Sequence, residues 1–426
     1  KPGRATPEQI QAAKNKTIEV IEPRALASDL NLFGLAGSPT WVTEIYTIEP
    51  KRKHIVRTLN GDADAAAQVV VRDLMEEGLF GEWKNRAPEN FSPGDQNWQG
   101  DAIWVVAEII EGKIRPVTFE MLGRATQLAE KINGYVAAVL IGDNVSHLAK
   151  TLAAYGATKV LLAEDATLAA YDPEIFTTIL ANAIRARNPY AVLIPSTANG
   201  RDFAPRVAAR LNIGLTGDVI GLEIDDQKRL VQLKPAFGGN IVAPILSQTR
   251  PAMATIRPGL LPSAVPDPER KAQIEKLAVE KTRAPRTRVI ATEVIAPEGI
   301  ELDRARIIVT VGMGIGTPEN LPVVRALAAA LDARIGATRR VVDAGWLPRQ
   351  QQIGLTGRAV APHLYVTVGV SGKFNHAVGM QRAGIVLAIN NNPEAEIFKH
   401  ADYGIVGDWA MIVPALTRAL VAAHPK

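Results

Sequence analysis

The residues that could do chemistry gather in the last third of the chain. The apolar run Ile307–Val311 is followed by Gly312-Met313-Gly314-Ile315-Gly316, and the run Leu364–Val368 by Gly369-Val370-Ser371-Gly372. A small-residue turn between strand and helix leaves backbone amides unbonded beyond the strand's carboxyl end, which is a place for phosphate. Either turn alone reads equally as tight packing, whereas two in one small domain predict a dinucleotide-sized ligand. Between them lie Thr338-Arg339-Arg340 and Gly354-Leu355-Thr356-Gly357. An isolated Arg pair reads as a solvated basic patch and a Gly-flanked Thr as a plain turn; position between the two glycine turns shifts both toward the ligand. Of the six histidines only His376 falls in the cluster, four residues past Gly372 and so in a first helical turn facing the same site. A lone His elsewhere would read as structural.

Catalysis on a small substrate has little support. The sequence holds no His-Glu-x-x-His helix, no P-loop lysine, no Gly-x-Ser-x-Gly elbow and no nucleophile with its base. It has no cysteine, which excludes disulfides, thiolate metal sites, iron–sulfur clusters and cysteine nucleophiles. Redox chemistry must then come from a bound cofactor. With 47% apolar and 22% charged residues the composition is globular, and no apolar run is long enough to cross a bilayer. The net charge of +4 on 92 charged side chains (48 basic plus 44 acidic) is spread along the chain, so nucleic acid is not implied. Missing cysteines fit a cytosolic or thermophilic origin, and a cytoplasmic location is expected. Lys1-Pro2-Gly3-Arg4 offers neither an initiator Met nor a signal-peptide core, which leads to the expectation that processing or truncation removed something upstream.

The elements that must position the cluster form three units at this length. Residues 1–97 hold a tight loop at Gly34–Thr40, a strand-like run Trp41–Ile48, an amphipathic helix Asp62–Glu77 with Asp62 as N-cap, and a polar linker from Gly81. Residues 98–301 alternate strand and helix: strands at Ala102–Ile110, Val136–Ile141, Lys159–Ala163 and Tyr190–Ile194, with helices capped by Thr118, from about Asn144, and opened by Asp172-Pro173. Asp218–Pro258 reads as antiparallel strands with a turn at Asp225-Asp226 and a break at Gly238-Gly239, followed by a Pro-rich connection with a short strand at Arg288–Val294. Residues 302–426 repeat the alternation with strands at Ile307, Leu364, Ile385 and Tyr403. The fold class is α/β, with two parallel-sheet domains of nucleotide-binding type and an N-terminal segment.

Read in order, Gly336-Ala337-Thr338-Arg339, Val342-Asp343-Ala344-Gly345, Gly354-Leu355-Thr356-Gly357, Val368–Gly372 with His376, Ala388-Ile389-Asn390 and Ala401–Val406 resemble the FAD-binding domain of electron transfer flavoprotein alpha subunits. The likeness extends to the preceding domain through Gly200–Ala208, Pro235–Asn240 and Arg257-Pro258-Gly259. The first 80 residues are similar to the C-terminal end of the beta subunit, through Ala12–Lys16 and Gly34–Thr40. The resemblance thus implies a beta-to-alpha fusion whose N-terminal segment wraps onto the FAD domain. It also implies a beta-like domain, outside this chain, that holds AMP or a second FAD.

The resemblance further implies that Thr338, Arg339, Leu355, Thr356, Gly369, Ser371, Gly372, His376, Asn390 and Asp408 bind FAD. Arg339 would supply a permanent cation over the flavin and His376 a donor near O2; Thr356 would reach N5 or O4, the Ser371–Gly372 amides a phosphate or the flavin edge, and Asn390 and Asp408 the ribityl chain, ribose or adenine. Leu355 stands where the family commonly has Gln, Met313 where it often has Arg, and Asn391-Asn392 where it has Lys-Asp; each weakens the site without removing it. The implied function is electron shuttling from dehydrogenases such as acyl-CoA dehydrogenases to a membrane-associated quinone oxidoreductase or similar acceptor. Two alternatives are NADH oxidation with electron bifurcation through a second flavin and a non-redox nucleotide-binding scaffold.

Overall fold

The computed structural model describes residues 5–47, 52–59, 61–79, 100–236, 241–280, 289–291, 302 and 305–423. The expected linker at 81–99, the Gly238-Gly239 break and Ile48 lie outside the described residues. So does most of the expected Arg288–Val294 strand, whose described part, 289–291, has no regular structure.

Two parallel sheets carry the molecule. The first has seven strands in the spatial order Leu215–Val219, Ala252–Ile256, Ala191–Pro195, Ala102–Val106, Tyr135–Gly142, Lys159–Glu164 and Gln273–Lys276. Its central strands are apolar at successive positions because helices cover both faces: all five residues of Ala102–Val106 and of Ala191–Pro195 are buried. Asp172 caps the helix Pro173–Arg187, accepting from the amides of Glu174 and Ile175. The helix after the first strand, Pro116–Lys131, starts before Thr118, which is not its cap; the Thr118 hydroxyl is buried and accepts from the Glu108 amide at 3.2 Å. Within Asp218–Pro258, Gly221–Ile224, Leu230–Ala236 and Ile241–Ser247 are antiparallel as expected, with Asp225 Oδ1 holding the amides of Gln227 and Arg229 in the turn. Ala252–Ile256 is different: fully buried, it runs parallel inside the main sheet.

The second sheet has six parallel strands in the order Arg334–Ala337, Ile307–Val311, Leu364–Val368, Ile385–Asn390, Tyr403–Val406 and Ile55–Thr58. The last of these comes from the N-terminal segment and pairs Ile55 with Tyr403 through Thr58 with Val406. The following helix, Ala63–Glu76, is capped by Asp62 and buries Ala67, Val70, Val71 and Leu74 in the same apolar core as Val309, Val366 and Leu416. Upstream, Thr40–Val42 and Tyr46–Thr47 pair antiparallel with Ile241–Ser247. Residues of the unit expected at 1–97 are therefore shared out, with 40–47 joining the antiparallel sheet of the first α/β domain and 55–79 completing the second domain.

A buried ion pair fixes this arrangement. Arg52 Nη1 meets Asp402 Oδ2 at 3.0 Å, with the two side chains 7% and 11% exposed. The same guanidinium donates to the carbonyls of Gln381, Ala383 and Gly384, each at 3.1 Å. Asp402 in turn accepts from the amides of Val386 and Lys53.

Candidate functional site

In the six-stranded sheet the chain runs from Ile307–Val311 out to Arg334–Ala337, then returns on the other side to Leu364–Val368. The reversal opens a crevice beyond the carboxyl ends of the Ile307 and Leu364 strands, where open parallel sheets take ligands. Both glycine turns lie there and bind each other: the Gly312 amide donates to Val368 O at 2.9 Å and the Gly314 amide to Gly369 O at 2.9 Å. A Cβ on Gly312 would sit 2.1 Å from Gly369 O, so this packing needs glycine. Gly369 and Gly372 have φ of +62° and +78°, conformations that turn successive amides outward. Among the described residues, the Val370, Ser371 and Gly372 amides find no acceptor.

The other predicted residues line the same edge. Thr338 and Arg339 follow the edge strand, with the Thr338 amide bonded to Val311 O at 3.0 Å; Arg339 is exposed and its Nε lies 3.3 Å from Asp343. Asn390 ends the fourth strand, is buried, and donates to Val370 O at 2.8 Å. Asp408 follows the fifth, where its side chain caps the helix Trp409–Ala423 through the Ala410 amide. From the strand before Thr338 to that before Asp408 are four strand spacings, about 19 Å. Arg339, Thr356, Ser371 and Asp408 are exposed or half-buried along this rim, above a floor that includes buried Gly372 and Asn390. The residues present fit an extended dinucleotide: unbonded amides in a glycine cradle, hydroxyls and a cation along one edge.

His376 and Leu355 behave differently from their expected contacts. The His376 ring is buried, with Nδ1 3.1 Å from Ile353 O and Nε2 3.0 Å from the Tyr365 hydroxyl. A carbonyl can only accept, so Nδ1 carries the proton and Nε2 accepts from Tyr365. Burial pulls the imidazole down to about 4, against the opposing hydrogen bond to Ile353, so the ring is neutral near pH 7. His376 thus braces the loop from beneath and has neither nitrogen free for a ligand. Leu355 is half-buried, with its amide on Asn375 O at 2.6 Å, while the neighbouring Thr356 hydroxyl accepts from Gln352 at 2.9 Å. Met313 packs against the apolar core.

Two further groups reach the loop from the first α/β domain. Arg257, 4% exposed, donates from Nη2 to Gly354 O at 3.3 Å, and its Nη1 is buried with no partner among the described residues. Burial pulls its guanidinium down from the ordinary value, with Asp218 opposing. Nearby, Glu120 accepts from the Gly259 amide at 2.9 and 3.1 Å, and Arg382 donates to the carbonyls of Gly259 and Leu261 at 3.0 and 3.1 Å. Burial lifts the Glu120 carboxyl to about 7 despite Arg382 and the backbone amides. Sequence reasoning did not reach Glu120, and it reached Arg257 only through the Arg257-Pro258-Gly259 likeness, without assigning it a contact.

Comparison with known proteins agrees with this geometry. Residues 103–282 match the model of the electron transfer flavoprotein domain, and residues 301–381 that of the electron transfer flavoprotein FAD-binding domain. The chain is 41% identical over 316 residues to the electron transfer flavoprotein subunit alpha of Thermoanaerobacterium thermosaccharolyticum, covering 74% of this chain and 96% of that one. It is 38% identical over 318 residues to the Bacillus subtilis protein of the same name, covering 75% and 97%. Over 315 residues it is also 38% identical to the lactate dehydrogenase (NAD(+),ferredoxin) subunit LctC of Acetobacterium woodii, covering 74% and 75%. No described helix is long and apolar enough to cross a membrane.

Proposed function

Because the chain belongs to the electron transfer flavoprotein alpha-subunit family, we propose that it lays FAD along the carboxyl edge of its six-stranded sheet and passes electrons from dehydrogenases, such as acyl-CoA dehydrogenases, to a membrane-associated quinone oxidoreductase. The observation that carries this reading is the convergence on one edge of the unbonded Val370–Gly372 amides and the exposed Thr356 and Ser371 side chains, with Arg339 beside them. FAD, when bound, supplies the capacity to accept and release electrons. The protein's part is binding, orientation and electrostatics. The Ser371–Gly372 amides bind a phosphate or the flavin edge, Thr338 and Thr356 donate hydroxyls, and Asn390 and Asp408 suit the sugar and adenine half. Arg339 supplies a fixed positive charge that favours the added electron. His376 holds the Ile353 carbonyl and so orients the Gly354–Thr356 loop.

The Arg339→Ala variant tests the electrostatic role. A unit charge near 4 Å in a solvated site contributes about 1 kcal/mol, equivalent to about 20 mV for a two-electron couple. Reductive titration of the variant should give a potential lower by at least that much; an unchanged potential removes Arg339 from the site.

The same reading takes the first 80 residues as a beta-subunit tail fused ahead of the alpha subunit. Its strand pairing in both α/β domains supports that. The rest of a beta-like domain, with AMP or a second FAD, would come from another polypeptide segment or chain. Likeness to LctC favours a second reading, in which NADH is oxidised and its electrons bifurcate through that second flavin. Reduction of the flavin by NADH in the complex that includes the beta-like domain separates the two: the shuttle predicts none.

A further inference from the structure

A cavity of about 270 Å³ opens at the carboxyl edge of the other sheet, the seven-stranded one, apart from the proposed flavin site. Its position follows from the strand order. The chain leaves Ala102–Val106 toward Tyr135–Gly142 and Lys159–Glu164, then comes back on the opposite side to Ala191–Pro195. The cavity lies in the crevice at that reversal, bounded by the segments that follow these strands.

One wall is aromatic, its three rings inclined to one another by 52–68°. Tyr171, Phe176 and Phe203 stand with ring centroids 5.1 Å, 6.2 Å and 6.3 Å apart, and Ile141 and Val145 line the same cavity. The other end is acidic. The helix Ala198–Leu211 begins there, and its cap Thr197 accepts from the Gly200 amide while donating to Glu108 Oε1 at 2.8 Å. The Glu108 side chain is 9% exposed, and Arg115 meets its second oxygen at 3.3 Å. A carboxylate therefore occupies the place where a helix start would otherwise take phosphate. Glu111 and Asp143 also line the cavity, and among the described residues no Lys or Arg does.

A carboxylate with both oxygens engaged once still has lone pairs to accept from an amino group. An aromatic wall of inclined rings can meet another aromatic ring by face or by edge, and the volume falls just below the roughly 300–1,000 Å³ of sites for larger organic ligands. We propose that this cavity binds an amino-bearing purine nucleoside, of the adenosine class, and rejects its phosphorylated forms. The base lies against Phe176, its exocyclic amine donates toward Glu108, and a phosphate is repelled by Glu111 and Asp143.

The test is calorimetric titration of the full chain, saturated with FAD so that the flavin site is filled, using adenosine, AMP and inosine as probes. One saturable adenosine site per chain is expected, with AMP and inosine at least about tenfold weaker. Ala169→Trp, at an exposed position on the cavity's mouth, should abolish adenosine binding and leave the flavin spectrum unchanged. Glu108→Gln should narrow the gap between adenosine and inosine. The proposal is overturned by a lack of saturable adenosine binding, by AMP binding as tightly as adenosine, or by adenosine binding that survives Ala169→Trp. None of those outcomes bears on the flavin reading, which is read from the spectrum.

Discussion

Replacing Arg52 by Met should loosen the N-terminal segment from the domain it completes. The Arg52 guanidinium makes four hydrogen bonds, three to the carbonyls of Gln381, Ala383 and Gly384 and one to Asp402. With the pair 7% and 11% exposed, solvent screens it little. Loss of one partner of a buried ion pair costs about 3–5 kcal/mol, because the other charge is left in a poor medium. Asp402 keeps the Val386 and Lys53 amides at 2.9 and 3.3 Å, which puts the expected loss near the lower end. At about 2–4 °C per kcal/mol for a domain of this size, the midpoint should fall by about 10 °C. Urea unfolding of the wild type, Arg52→Met, Asp402→Leu and the double variant gives the coupling, which should exceed about 1 kcal/mol. A loss under about 1 kcal/mol in Arg52→Met, or purely additive single effects, would refute the claim that this pair anchors the segment.

The junction between the α/β domains should respond to pH. Since burial raises the Glu120 carboxyl from 4.5 to about 7, the folded state holds a proton that the unfolded state has lost between those values. Stability should fall as pH rises through that window, by at most roughly 3 kcal/mol, and Glu120→Gln should flatten the curve in urea titrations across it. Arg257→Met removes the hydrogen bond to the Gly354 carbonyl and should weaken FAD affinity by about tenfold, measured by flavin fluorescence on the apoprotein. Tyr365→Phe leaves His376 Nε2 without its donor; as a hydrogen bond whose buried partner stays behind, it should cost about 1–3 kcal/mol in thermal unfolding.

Much of this was legible in the sequence because the signals are local. Asp62 and Asp172 cap the helices that their positions before Ala63 and Pro173 predict, and the buried strands stand out as apolar runs. The two glycine turns declared themselves through composition, and the fold brings both to one crevice. What escaped was short, polar or long-range. Gln273–Lys276 is an edge strand with Ile274 51% exposed, so no apolar pattern marks it. Arg334–Ala337 is a four-residue edge strand containing a glycine, and Trp409–Ala423 carries an internal Pro414 that argues locally against a helix. His376 lies where the spacing from Gly372 put it, yet the chain turns its ring inward to Tyr365 and Ile353. That choice depends on partners 11 and 23 residues away. Arg257 reaching Gly354 spans 97 residues, and no local pattern encodes such a contact.

Flavin content bears most directly on the central claim that the carboxyl edge of the six-stranded sheet is a cofactor cradle. The folded chain, incubated with FAD and freed of excess by gel filtration, should carry one flavin per chain by absorbance, and hydrogen exchange at the Val370, Ser371 and Gly372 amides should slow on binding. A folded chain that retains no flavin, or flavin that leaves those three amides exchanging as before, would contradict the account.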